Sequence, residues 1–116
     1  MVASVAVVTH IIGNVNTIEL SYSESTVEGH PAISTGVYPL DEVAGGSMGV
    51  WEGKPGVFVG APHADEVFVV LSGSATITAG QDAPVSTAQG DIVRLAKDVE
   101  VRWDIAETLR IFYIFP

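Results

Sequence analysis

At 116 residues the chain is long enough for one domain with a buried core and too short for two ordinary ones. Fourteen acidic against five basic side chains give a formal charge of −9, which repels phosphate backbones and anionic lipid, so neither nucleic acid nor a membrane surface is an expected partner. The absence of Cys rules out disulfides, thiolate metal sites and a Cys nucleophile, and fits a cytoplasmic location.

Eighteen Val and nine Ile, punctuated by twelve Gly, favour strands and tight turns, because β-branched side chains suit a pleated surface better than a helix. The opening Met1 to Val8 is apolar, but it lacks the basic flank of a secretory signal and is far shorter than a membrane span. From Ile11 to Gly49 polar clusters and Gly29, Pro31, Pro39 and Gly45-Gly46 interrupt short apolar pieces. Residues 1–48 therefore read as an irregular N-terminal arm with short strands, part of the same domain, packing across the rest or onto a neighbour. Asp41 to Ala44 offers at most one helical turn.

Residues 49–116 are more regular. Turn signals at Pro55-Gly56, Ser72-Gly73, Gly80 to Asp82, Gln89 to Asp91, Lys97-Asp98 and Asp104 to Glu107 cut this part into strand-length segments. Val67 to Leu71 is apolar on both parities, as in a strand covered on two faces, and Ser72-Gly73 predicts a tight hairpin into Ser74 to Thr78. In the stretch Val99 to Asp104, Val99, Val101 and Trp103 share the interior face, and Glu100, Arg102 and Asp104 the other. Leu109, Ile111, Tyr113 and Phe115 form one face of the last strand, with Arg110, Phe112 and Ile114 opposite, and two apolar faces hint at a subunit contact. So many short strands in so short a chain need a sandwich or a closed barrel to hide their edges, which makes the expected class all-β.

The pieces Gly49-Val-Trp-Glu52 with Pro55-Gly56, Asp65-Glu66 ahead of Gly73, Gly90-Asp91, Trp103 and Glu107 to Ile114 resemble, in order and spacing, the cupin superfamily. Within it the chain looks similar to the small single-domain cupins related to (S)-ureidoglycine aminohydrolase. The resemblance implies a double-stranded β-helix, or jelly-roll barrel, with a pocket in the barrel mouth, and a homodimer as the usual assembly. It also implies a divalent metal (Mn, Fe, Ni or Zn) in active members, but most of the usual His ligands are absent here. Val59 to Pro62 stands where a His pair is customary, and Val101 where a later His is.

The candidate site centres on Glu66, which by parity shares a face with Phe68 and Val70. Turned inward, its carboxyl is desolvated and suited to a general base or a ligand acceptor; turned outward, it is a strand-end Glu in water. His63 is either its catalytic and metal-binding companion or an exposed loop residue, and two ligands fall short of a catalytic metal set. His10 and His30 have no local support as further ligands. Trp51, Phe58, Phe68, Trp103 and Tyr113 are candidate pocket walls or plain core. Trp51 and Glu52 alternate, so only one faces inward. Arg94, Arg102 and Arg110 could hold an anionic ligand, and two of them alternate away from apolar neighbours into solvent. The expected function is a hydrolase or lyase on a small nitrogen-containing metabolite, or a metal-free module that binds a small molecule. A purely structural homodimer with a filled barrel is the third reading.

Overall fold

The computed structural model describes residues 9–40 and 47–116, so Met1 to Val8 and the possible helical turn at 41–44 lie outside the described residues. All the regular structure described is β: β1 (Ser21–Ser25), β2 (Ile33–Pro39), β3 (Ser47–Gly53), β4 (Gly56–Gly60), β5 (Glu66–Ala79), β6 (Val85–Ala88), β7 (Ile92–Leu95) and β8 (Val101–Phe115). No helix among the described residues is long and apolar enough to cross a membrane. Every strand pairing is antiparallel.

The long strands β5 and β8 pair along their whole length, and their two halves take different neighbours. The first half of β5 carries β7, and the second half of β8 carries β3, which continues through β2 to β1. The second half of β5 carries β6, and the first half of β8 carries β4. One sheet thus becomes two facing layers joined through β5 and β8, the jelly-roll arrangement. The arm's two strands belong to this sheet as its edge.

The joint lies where the sequence suggested turns. Ser72-Gly73 is not a hairpin, and Asp104 to Glu107 is not a turn; β5 and β8 run through both. Between Val70 and Ala75 the register slips three times, because each strand holds residues that its partner leaves unopposed. Such bulges bend a strand and sharpen its twist. They also explain a change of parity in β5: Glu66, Phe68 and Val70 are buried before the joint, and Ala75 and Ile77 after it. Gly73 makes the passage possible. Its φ is +82°, and a Cβ there would overlap the carbonyl oxygen of Thr108 on β8.

Between the layers Ile33, Phe68, Val70, Ala75, Ile77, Leu95, Val101, Trp103, Ile105, Leu109 and Ile111 form one core. A fully buried side chain such as Leu109 contributes about 2 kcal/mol on transfer from water. The remaining turn signals mark real connections. Lys54-Pro55 links β3 to β4, Gly90 (φ +92°) lies between β6 and β7, and Asp98 (φ +63°) between β7 and β8. The β7–β8 turn is tied to the loop before β5: the Asp98 amide donates to the Pro62 carbonyl at 2.8 Å, and the Lys97 amide to Asp65 Oδ1 at 2.9 Å.

The outer face of the second layer half is also partly covered. Arg110 donates to the Val15 carbonyl, and Phe112 borders a cavity lined by residues 10–15 and Ile18, whereas Ile114 on the same face of β8 stays exposed. Gly73→Ala should lower unfolding free energy by at least about 2 kcal/mol, through left-handed strain plus backbone overlap, and urea denaturation followed by circular dichroism measures it.

Candidate functional site

Glu66 opens β5 and pairs across to Leu95 on β7, with its side chain on the same inward parity as Phe68 and Val70. It is 9% exposed. Among the described residues no hydrogen bond or ion pair engages its carboxylate, and burial alone pushes its pKa from 4.5 up to about 7. No side-chain oxygen is both sealed from solvent and without a partner among the described residues, so the carboxylate opens into accessible space. That space is a cavity of about 220 Å³ lined by Val37, Trp51, Phe58, Glu66, Trp103, Ile111, Tyr113 and Phe115. On its other side Glu66 also borders a smaller recess of about 140 Å³ with Pro62, Leu95 and Val101 in its wall.

The walls follow from strand parity. Trp51 comes from β3, Phe58 from β4, and Trp103, Ile111 and Tyr113 from the inward face of β8. Their rings pack on one another: Trp51 lies 5.4 Å from Phe58 and 5.5 Å from Trp103 between ring centroids. Phe68, expected as a wall or as core, lies in the core. It is 1% exposed and stands behind Trp103 at 5.1 Å, backing the wall without lining the cavity. Val37 and Phe115 do line it, and neither was singled out from sequence as a pocket wall; Val37 arrives from the arm, whose pairing with β3 no local pattern reveals.

The structure does not bring His63, the expected companion of Glu66, to the same space. His63 is exposed, its ring packs at a tilt against Phe115 with centroids 4.4 Å apart, and it lines neither space that Glu66 borders. His10 and His30 line neither of them as well. No group of three or more His, Asp or Glu side chains among the described residues could hold a metal. Glu66 alone, in an aromatic wall, does not fit the donor set of a catalytic divalent ion.

On the opposite side of β3, behind Trp51, lies a second buried carboxylate that sequence reasoning passed over. Tyr22, Gly36, Glu52 and Arg110 stand abreast on β1, β2, β3 and β8. Gly36 leaves the gap that Tyr22 crosses: a Cβ there would lie 2.7 Å from the tyrosine ring. The Tyr22 hydroxyl donates to Glu52 Oε1 at 2.8 Å, Lys54 Nζ pairs with the same oxygen at 3.0 Å, and Arg110 Nε donates to Oε2 at 3.0 Å. Arg110 Nη1 donates in turn to the Val15 carbonyl at 2.9 Å, fastening the arm. Burial raises the Glu52 pKa, and the bonds from Tyr22, Lys54 and Arg110 outweigh it, leaving the carboxyl below 4.5. The hydrogen bond to Glu52, with burial and its charge, pushes the Tyr22 hydroxyl above 10.0. Arg110 is therefore not solvated, whereas Arg94 and Arg102 pair at the surface with Asp65 and Asp104.

A two-layered antiparallel roll with an inward carboxylate and an aromatic cavity defines a cupin-type barrel. The model of the EutQ-like cupin domain matches residues 40–113, well over half of the chain, and the chain belongs to that family. No curated protein matches it by sequence. Among solved structures it is similar to the Clostridium difficile EutQ protein, with 22% identity, a TM-score of 0.71, and 88% of this chain and 83% of that one covered. A DUF861 family protein from Thermotoga maritima matches with 21% identity, a TM-score of 0.56, and 84% and 100% coverage. A DUF861 family protein of unknown function from Pseudomonas syringae matches with 18% identity and a TM-score of 0.68 over 84% of this chain and 44% of that one. At these identities the structural likeness speaks for the fold.

The two buried carboxylates titrate in opposite senses. Folding raises the Glu66 pKa, so its contribution is fully present below pH 4.5 and is lost as pH rises to about 7. Glu66→Gln should abolish that decline: its urea midpoint, relative to the unsubstituted protein, should be higher at about pH 8 than at about pH 5. Folding lowers the Glu52 pKa, so its stabilisation is present above pH 4.5 and lost as pH falls through the folded value. Glu52→Ala strands the half-buried Arg110 guanidinium and should cost on the order of 2 kcal/mol near neutral pH, with the deficit shrinking in acid.

Proposed function

We propose that this chain is a small-molecule-binding cupin. Its cavity takes a compact ligand with an apolar body and a single polar group that meets Glu66. The carrying observation is one buried carboxylate, without a partner among the described residues, opening into an otherwise aromatic and aliphatic chamber. At about 220 Å³ the chamber is smaller than the roughly 300 Å³ at which drug-sized sites begin, so the ligand is small. Support for the expected setting, a cytoplasmic homodimer with no nucleic-acid or membrane partner, comes from the charge of −9, the lack of Cys, and apolar residues such as Ile114 left partly exposed on β8.

The second reading is catalytic: a hydrolase or lyase on a small nitrogen-containing metabolite, as the resemblance to ureidoglycine aminohydrolase suggests. What favours it is the Glu66 pKa of about 7, a value suited to a general base at neutral pH. His63, placed against Phe115, gives Glu66 no assistance in that chemistry.

Screening a fragment library by ligand-observed NMR tests the binding reading. Bound fragments should be lost in Val37→Trp, which fills the chamber from its exposed rim while leaving the circular dichroism spectrum unchanged. Fragment binding that persists undiminished in this folded variant would place the ligand elsewhere. Turnover of ureidoglycine that disappears in Glu66→Gln would instead establish the catalytic reading.

A further inference from the structure

We infer that the polar group recognised by Glu66 is a cationic nitrogen, so that the chamber is a receptor for a small alkylammonium ion. This rests on the binding reading above and adds the ligand's charge and class to it. The argument is one of complementarity. Among the described residues, those lining the two spaces around Glu66 include no cation; Glu66 is the one charged residue among them, and Tyr113 the one other titratable side chain. The elements packed around it contribute Leu95 from β7, Phe58 from β4, Trp103, Tyr113 and Phe115 from β8, and Pro62 from the preceding loop. The chain's five basic side chains lie elsewhere: Lys54 and Arg110 are held by Glu52 behind the wall, Arg94 faces Asp65 at 3.6 Å, Arg102 pairs with Asp104, and Lys97 lines neither space.

An anionic ligand would face this carboxylate with no counter-charge among the lining residues, and a neutral one could offer it a hydrogen bond but no opposite charge. A cation supplies what the protein omits. Its apolar substituents suit the rest of the chamber. Trp51, Phe58, Trp103, Tyr113 and Phe115 present five aromatic rings around one space, and the negative faces of such rings attract an ammonium or quaternary ammonium group. A desolvated cation held between rings and a carboxylate gains from both, because the low-dielectric wall strengthens each interaction. The proton linkage has a definite sign. A cation stabilises the ionised form of Glu66, so binding expels its proton, and affinity rises with pH until Glu66 is ionised in the free protein.

Choline chloride and 3,3-dimethylbutan-1-ol, its uncharged carbon isostere, separate charge from shape. The two tryptophans of the chain, Trp51 and Trp103, both line the chamber, so their indole N–H resonances report its occupancy in the intact protein. Choline should bind at least about tenfold more tightly than the isostere, and its Kd should fall as pH rises from about 5.5 to about 7.5. In Glu66→Gln that preference should vanish while the isostere's own affinity is kept. If the isostere binds as well as choline, the chamber is a small-molecule site and the cation assignment is overturned. If neither moves the indole signals, the binding reading falls with it. A choline preference that survives Glu66→Gln would also overturn the assignment, because the charge recognised would not be this one.

Discussion

The contact that the rest of the fold depends on is the one in which Gly73 passes against the carbonyl of Thr108. There β5 and β8 lose register together, and the single ribbon they form bends into two layers. A side chain at position 73 would keep the strands apart and the joint open. The slip also decides which residues face inward. Because the joint consumes an unopposed residue in β5, Glu66 and Phe68 before it and Ala75 and Ile77 after it all reach the same interior despite opposite parities. The position of the carboxylate is thus a consequence of backbone geometry seven residues downstream in the chain.

The wall of the chamber is one strand thick, and its two sides have opposite electrostatics. On β3, Trp51 faces the cavity and Glu52, its neighbour, faces the arm. Glu52 is met by a hydroxyl, an ammonium and a guanidinium, so its negative charge is stabilised by folding despite burial. Glu66 has the burial without partners among the described residues, and folding works against its charge. The first is what a structural carboxylate looks like: every donor around it is protein, and one of them, Arg110, also ties down residue 15. The second is what a carboxylate awaiting something from outside looks like.

Much of this was legible in the sequence because short-range alternation is a local property. Val101 and Trp103 face inward as their spacing requires, and four of the five expected aromatic walls line the cavity. The joint was misread for a physical reason. Ser72-Gly73 and Asp104 to Glu107 carry the residue types of a turn, and a bulge needs the same ones: a residue that tolerates positive φ and small or polar side chains that need no packing partner. Only the pairing of the two sites across the sheet distinguishes a bend from a reversal, and that pairing is not local. Arg110 was misread likewise. Its partner Glu52 lies 58 residues away, and the cover over both comes from Tyr22 and Val15 in the segment with the weakest pattern. His63 precedes Glu66 closely enough to suggest a pair, yet the chain bends between them, and the exposed imidazole packs against the Phe115 ring while the carboxylate enters the roll.

The cost of the unpartnered carboxylate and its use are the same quantity. Above neutral pH the folded protein carries a desolvated negative charge that the unfolded chain holds in water, so the empty site is less stable than an uncharged one of the same shape. A protein could relieve this by placing an arginine nearby, as this one does for Glu52 with Arg110 behind the β3 wall. Leaving the relief to a ligand converts the penalty into selectivity: whatever enters is favoured in proportion to the charge compensation it brings, and an isosteric neutral molecule forgoes that part. The aromatic rings act in the same sense. They offer neither a hydrogen bond nor a counter-ion to the carboxylate, but they attract a cation, so the chamber disfavours its own charge and favours the charge that would neutralise it.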